Sequence, residues 1–287
     1  MKNTGRSRRQ PSARGSSRPR PARAAAVDGA VLELEFPADL SAREIRLYVP
    51  ACGVTAATPL LVALDGQRMP DWQLDEALAA LARAGECVAP LVVAIPSAAE
   101  RVEEYGMAER LDYAGRGRKG AAFQRFVLER VLPAVRARHG LGAGPERTGI
   151  FGASLGGLAA FDLAWRHPEV FGVVGVFSGS LWWRGEDGDA ATQQSSRLMH
   201  AQVRATAARP PLRCWFQAGT ADETDDRDGN GVIDAIQDTT ELIDELAAQG
   251  FRRDIDVVYR EVAGGEHNER TWAQVLPEFL RWALPRY

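Results

Sequence analysis

Residues 147–161 read Arg147-Thr148-Gly149-Ile150-Phe151-Gly152-Ala153-Ser154-Leu155-Gly156-Gly157-Leu158-Ala159-Ala160-Phe161. A short apolar run enters a glycine-flanked turn at Ser154. Leu158, Phe161 and the pair Leu163-Ala164 then recur at helical spacing. Strand, sharp turn and helix is the setting in which a G-x-S-x-G match puts a serine at a strained apex with its hydroxyl exposed. Gly152 and Gly156 suit it, because strand and helix pass there too closely for a Cβ. The helix starting behind the serine offers free N–H groups and a positive dipole end, both of which favour an oxyanion at Ser154.

Working outward, the chain supplies seven more strands. Ala30–Phe36 and Ala42–Pro50 alternate apolar with charged residues, as half-exposed strands do. Leu60–Leu64 and Leu91–Ile95 are continuous apolar runs, the mark of strands covered on both faces. Val173–Phe177, Leu212–Phe216 and Ile255–Tyr259 follow after the elbow. Helical stripes lie at 72–81 (Gly85 able to end the helix), 123–135 with a kink or restart expected at Pro133, 236–249 and 269–283. Two antiparallel strands followed by strands interleaved with helices predict a mostly parallel eight-stranded sheet with helices on both faces. Ligands of such sheets sit beyond the carboxyl ends of the strands. Ser154, Asp65-Gly66, Asp222 and His267 each follow a predicted strand and so belong on that one edge. The long connection 96–120, with Tyr105, Asp112 and Tyr113, marks a functional segment.

Composition sets the outer bounds. At 287 residues, with 45% apolar and 25% charged residues, the chain can build a sizeable core. Its net charge of −3 is unevenly spread. Residues 1–26 hold Lys2, Arg6, Arg8, Arg9, Arg14, Arg18, Arg20 and Arg23 and no acid, which leaves the remainder at −11. We expect 1–27 to be a disordered basic tail and 28–287 the catalytic domain. A basic tail can bind nucleic acid or an acidic surface, but the simpler reading is a solvated extension, and no nucleic-acid partner is expected. Ala24-Ala25-Ala26-Val27 is too short for a signal-peptide apolar region, and no run approaches a membrane span. A cytoplasmic location is therefore the expectation. Cys52, Cys87 and Cys214 are scattered, with neither disulfide nor metal spacing.

A serine hydroxyl needs a base to become a useful nucleophile. His139 and His167 stand at predicted helix ends, and His200 lies in a polar helical stretch. His267 sits in Ala263-Gly264-Gly265-Glu266-His267-Asn268, read as a flexible loop after the last strand, from which an imidazole reaches back over the sheet edge. The third member is a carboxylate after the seventh strand, in the chain order Ser, acid, His. Asp222 is the first choice, with Glu223 and Asp225 as rivals. The N–H of Leu155, together with that of Gly66 or Gln67, should form the oxyanion hole. Trp182 and Trp183, just past the sixth strand, are expected as an apolar wall for the acyl group.

Taken together, GASLGGLAA (152–160), FSGSLWW (177–183), LDGQ (64–67) and GGEHNERTW (264–272) resemble the esterase family of α/β-hydrolases that includes enterochelin esterases, esterase D (S-formylglutathione hydrolase), feruloyl esterases and mycolyltransferases. The elbow and the tryptophan pair are most similar to the enterochelin esterase branch. The resemblance spans about residues 40–285. It implies an α/β-hydrolase fold, a Ser154–His267 pair, a carboxylate near Asp222, an oxyanion hole at Gly66/Gln67 and Leu155, and hydrolysis of a small-molecule ester with no required cofactor. We expect the chain to depart from the full-length enterochelin esterases in having no counterpart of their amino-terminal domain, and its acid loop is elongated.

That loop, Asp226-Arg227-Asp228-Gly229-Asn230-Gly231-Val232-Ile233-Asp234, matches the start of a calcium loop. Asp226, Asp228, Asn230, the Val232 carbonyl and Asp234 would be ligands, while Gln237 replaces the bidentate Glu at position 12. A structural calcium is one expectation, an acidic turn capping the next helix the other. For the whole chain the favoured function is a serine esterase working through an acyl-enzyme. Its rivals are an acyltransferase on the same fold and a binding protein with a decayed site.

Overall fold

The computed structural model describes Met1 and residues 27–284. The segment expected as a disordered tail lies outside the described residues except at its ends, and Val27 already belongs to the first strand. The strands are β1 (Val27–Leu32), β2 (Ile45–Pro50), β3 (Leu60–Leu64), β4 (Leu91–Ile95), β5 (Thr148–Ala153), β6 (Val173–Phe177), β7 (Arg213–Ala221) and β8 (Val257–Glu266). They form one eight-stranded sheet in the order β1-β2-β4-β3-β5-β6-β7-β8. β2 runs antiparallel to both β1 and β4, and every other neighbouring pair is parallel. This is the doubly covered α/β-hydrolase sheet.

The helices are α1 (Leu74–Ala84), α2 (Arg101–Glu104), α3 (Gly120–Phe126), α4 (Leu132–His139), α5 (Leu155–Arg166), α6 (Ala190–Ser195), α7 (Leu198–Ala205), α8 (Asp234–Ala248) and α9 (Glu269–Ala283). Because strand side chains alternate, each strand feeds two cores. Val62, Ile150, Val174 and Phe216 pack with Phe126, Phe161 and Leu242 of α3, α5 and α8. Their neighbours Ala63, Phe151, Phe177 and Trp215 pack with Leu78 and Phe279 of α1 and α9 on the other face. A π-helical stretch, Val127–Val131, joins α3 to α4 directly before Pro133. The proline has no N–H to continue the ladder, and a widened turn absorbs that loss without breaking the rod. No helix among the described residues is long and apolar enough to cross a membrane.

Three boundaries correct the sequence reading. β1 covers residues 27–32 rather than 30–36, because its antiparallel register pairs Val27 with Pro50 and Leu32 with Ile45. β7 runs five residues past its apolar core to Ala221, and β8 runs to Glu266. The segment 263–266, expected as a flexible loop, is therefore strand, and His267 follows directly on an ordered backbone. β8 is an edge strand, so its second half needs no apolar run to stay paired.

Candidate active site

Three parallel strands end in a non-glycine residue with positive φ: Asp65 (54°) after β3, Ser154 (56°) after β5 and Ser178 (44°) after β6. Such residues persist only where their surroundings hold them. At the elbow the Ser154 N–H donates to Phe177 O (2.9 Å), and the Ser180 N–H donates to Ser154 O (3.0 Å). A Cβ on Gly152 would lie 2.6 Å from the Gly156 carbonyl, so α5 can leave the strand this tightly only over glycine. Leu155 is the first residue of α5, and its N–H has no acceptor in the helix ladder.

Ser154, His267 and Gln67 line one cavity of about 260 Å³ with Asp65, Arg68, Trp72, Arg101, Ala153, Glu269 and Trp272. Gln67 lies in the single 3₁₀ turn Gly66–Arg68 that follows Asp65. Its side chain is tied down by Ser97: the amide donates to Ser97 Oγ (2.8 Å), and Oε1 accepts from Ser97 N–H (3.0 Å). Gly66 is buried. The Ser154 hydroxyl lies 3.3 Å from the Ser180 hydroxyl.

His267 is held between the end of β8 and the start of α9. The Asn268 side chain caps α9 by accepting from Thr271 N–H (3.1 Å), and Thr271 Oγ1 accepts from Glu266 N–H (2.9 Å). Nδ1 of His267 lies 3.7 Å from Asp222 Oδ1, in ion-pair range and beyond hydrogen-bond length. Burial pulls the imidazole below its ordinary pKa. Asp222 opposes this, Arg101 adds to it, and Glu269 opposes it. The buried Asp222 carboxylate accepts from Gly219 N–H (2.8 Å) and Ser178 Oγ–H (3.0 Å). Its rival Glu223 turns toward the start of α8. Burial pushes that carboxyl up to about 7; the Ala235 N–H opposes the rise, and the nearby carboxylates of Asp234, Asp225 and Asp238 add to it. Asp225 gives its carbonyl to Asp234 N–H.

Two residues of the cavity were not assigned a role from the sequence, although Trp272 closes the GGEHNERTW stretch. Arg101, inside the long connection after β4, donates from Nε and Nη2 to both oxygens of Asp65 (2.8 and 2.7 Å), and from Nη2 to Ala153 O (3.2 Å). It clamps the end of β3 to the residue before the nucleophile. Trp272 brings its ring edge-on to His267, with centroids 5.3 Å apart at 81°. The connection expected to be functional contributes Arg101 to the cavity. Tyr105 is fully buried and its OH accepts from Asp65 N–H (3.0 Å), while Asp112 holds Ala114 and Arg116.

One expectation needs correction. Trp182 and Trp183 are not on the cavity wall. Trp183 is fully buried and donates from Nε1 to Arg110 O (3.2 Å), and Trp182 is half-buried under the Arg116 guanidinium. The wall is Trp72 and Trp272. The expected calcium loop is closed by its own groups. Asp226 accepts from the N–H groups of Asn230 and Gly231, Asp228 from Asn230 N–H and the Gln237 side chain, and Asn230 from Val232 N–H. Asp234 takes the N–H and guanidinium of Arg227, which also pairs with Asp238. Among the described residues no three His, Cys, Asp or Glu are grouped to hold a metal ion. Arg227 pairs with Asp234, one of the expected ligands, and with Asp238 beyond the loop. His200, expected in a polar stretch, is buried, and burial and Arg197 take its pKa down to about 3.

The strand order, the elbow and the cavity at the carboxyl edge define an α/β-hydrolase. Residues 41–283 match the family described as Putative esterase, and the chain belongs to that family. It is 25% identical over 247 residues to an Iron(III) enterobactin esterase of Dickeya dadantii, covering 83% of this chain and 51% of that protein. It is 28% identical over 181 residues to the Iron(III) enterobactin esterase of Escherichia coli K12, covering 62% and 41%. In fold it is similar to the enterobactin esterase FES from Shigella flexneri, with a TM-score of 0.66 and 21% identity, covering 90% of this chain and 58% of that one. The chain thus spans about half the length of the curated relatives it matches.

Proposed function

We propose that this protein is a carboxylic ester hydrolase acting on small-molecule esters through Ser154, His267 and Asp222. One observation carries the reading: a serine strained to φ 56° at a strand–helix apex shares a cavity with a histidine whose Nδ1 faces a buried carboxylate. A neutral imidazole with its Nδ1 proton toward Asp222 presents Nε2 as a base. His267 then takes the Ser154 proton as Oγ attacks the ester carbonyl. The Leu155 and Gln67 N–H groups hold the oxyanion, and the alcohol leaves with the proton from His267. Water, activated by the same imidazole, releases the acid and restores Ser154. Asp222 stabilises the imidazolium in both half-reactions.

The test is activity with a fluorophosphonate probe, on nitrophenyl esters of increasing acyl length and on enterobactin, the compound in the relatives' names. Wild type should be labelled at Ser154, while Ser154→Ala and His267→Ala should each lose hydrolysis. The double mutant should be no worse than either single, since members of such a unit are not additive. Labelling elsewhere, with activity retained in Ser154→Ala, refutes the mechanism.

A further inference from the structure

Asp222 does not find its orientation alone. Ser178 lies one residue past β6, is 2% exposed and does not touch the cavity. Its Oγ accepts a hydrogen bond from the indole Nε1–H of Trp272 (2.9 Å). An indole can only donate, so the serine proton must point elsewhere. Two acceptors are in reach: Asp222 Oδ1 at 3.0 Å and Gln217 Oε1 at 3.5 Å. The shorter bond to the charged oxygen wins. Trp272 thereby sets the serine rotor, and the serine pins the Asp222 oxygen nearest His267. Gly219 N–H holds the other oxygen at 2.8 Å. The loop itself does not need this hydroxyl, because the Ser178 N–H is already satisfied by Gln217 O (2.8 Å).

We propose that Ser178, oriented by the Trp272 indole, is a positioning residue that aims the Asp222 carboxylate at His267. The proposal rests on the Ser154–His267–Asp222 reading and adds to it two residues that act through the acid. Without Ser178, Asp222 keeps one donor, and the oxygen facing the imidazole is free to swing. A hydrogen bond to a charged group is worth enough that its loss should lower kcat by roughly ten- to a hundredfold. KM should stay put, since Ser178 is not on the cavity wall.

The experiment compares kcat, KM and Tm for Ser178→Ala, Trp272→Phe, Ser178→Ala/Trp272→Phe, Asp222→Ala and Asp222→Ala/Ser178→Ala on a nitrophenyl ester. Ser178→Ala should lower kcat with KM unchanged, and lower Tm by orphaning the buried indole N–H. Adding Trp272→Phe removes that orphan, so Tm should recover, and kcat is read against the Trp272→Phe single variant, below which the double should not fall if both act through Asp222. In the Asp222→Ala background the serine change should cost no further activity. Wild-type kcat in Ser178→Ala, a double variant whose kcat falls by the full product of the two single losses, or an equal further loss in the Asp222→Ala background each overturns the proposal and leaves the triad standing. Asp222→Ala with undiminished kcat removes the acid assignment itself, and the proposal with it.

Discussion

Gly219→Ala tests whether the ends of β7 and β8 aim the acid and the base. Gly219 lies three residues before Asp222, and its partner strand ends one residue before His267. A Cβ there would stand 2.2 Å from Gly265 O and 2.5 Å from Gly265 C, both backbone atoms. Real Cβ contacts essentially never fall under 3.0 Å, and backbone cannot rotate aside as a side chain can. The strand ends must part by about 1 Å, in a packed sheet where such overpacking costs about 1–3 kcal/mol. The same displacement acts on a His267–Asp222 separation of 3.7 Å that has no slack, and it pulls at the Gly219 N–H holding Asp222. A 1 Å misplacement of catalytic groups can cost about a hundredfold in rate. We expect Gly219→Ala to fold with a lowered Tm and to lose about two orders of magnitude in kcat, with KM little changed. Steady-state kinetics on a nitrophenyl ester together with a thermal melt decide it. A folded variant with wild-type kcat would refute the idea that this strand contact sets the acid–base geometry.

Acid inactivation should follow His267, which works only when neutral. Burial and Arg101 hold it below its ordinary pKa, so the acidic limb of kcat/KM should lie below about pH 6.5, and activity should be lost as pH falls through it. Arg101→Gln removes one cause of that depression and should move the limb to higher pH, whereas an unmoved limb would show that the cation does not reach the imidazole. Calcium against chelator should leave Tm unchanged, because Arg227 already pairs with Asp234 and Asp238; a stabilising shift that vanishes in Asp228→Ala would restore the ion. From the Arg-, Ser-, Pro- and Gly-rich composition of 1–26 we expect a chain beginning at Val27 to keep kcat and Tm, and a large loss of either would show that the segment docks on the domain.

The sheet and the nucleophile were legible in the sequence because their signals are local. Apolar runs at 60–64, 91–95, 148–153 and 173–177 declare strands buried on both faces, and the glycines around Ser154 declare a turn too tight for side chains. Chain order then put Asp222 and His267 on the same edge as Ser154. How far β7 and β8 run was not legible, because past Gln217 the two hold each other by their shared ladder and not by apolar continuity, and so 263–266 looked like loop. The cavity wall was equally hidden. Tryptophan composition marks Trp182, Trp183 and Trp272 alike, and only packing decides that Trp183 turns under the connection while Trp272 faces the imidazole. Arg101 and Ser178 are ordinary residues by type. The fold gives them work by bringing the ends of β3, β5, β6 and β7 together, which places a guanidinium on Asp65 and a hydroxyl on Asp222 across 36 and 44 residues of chain.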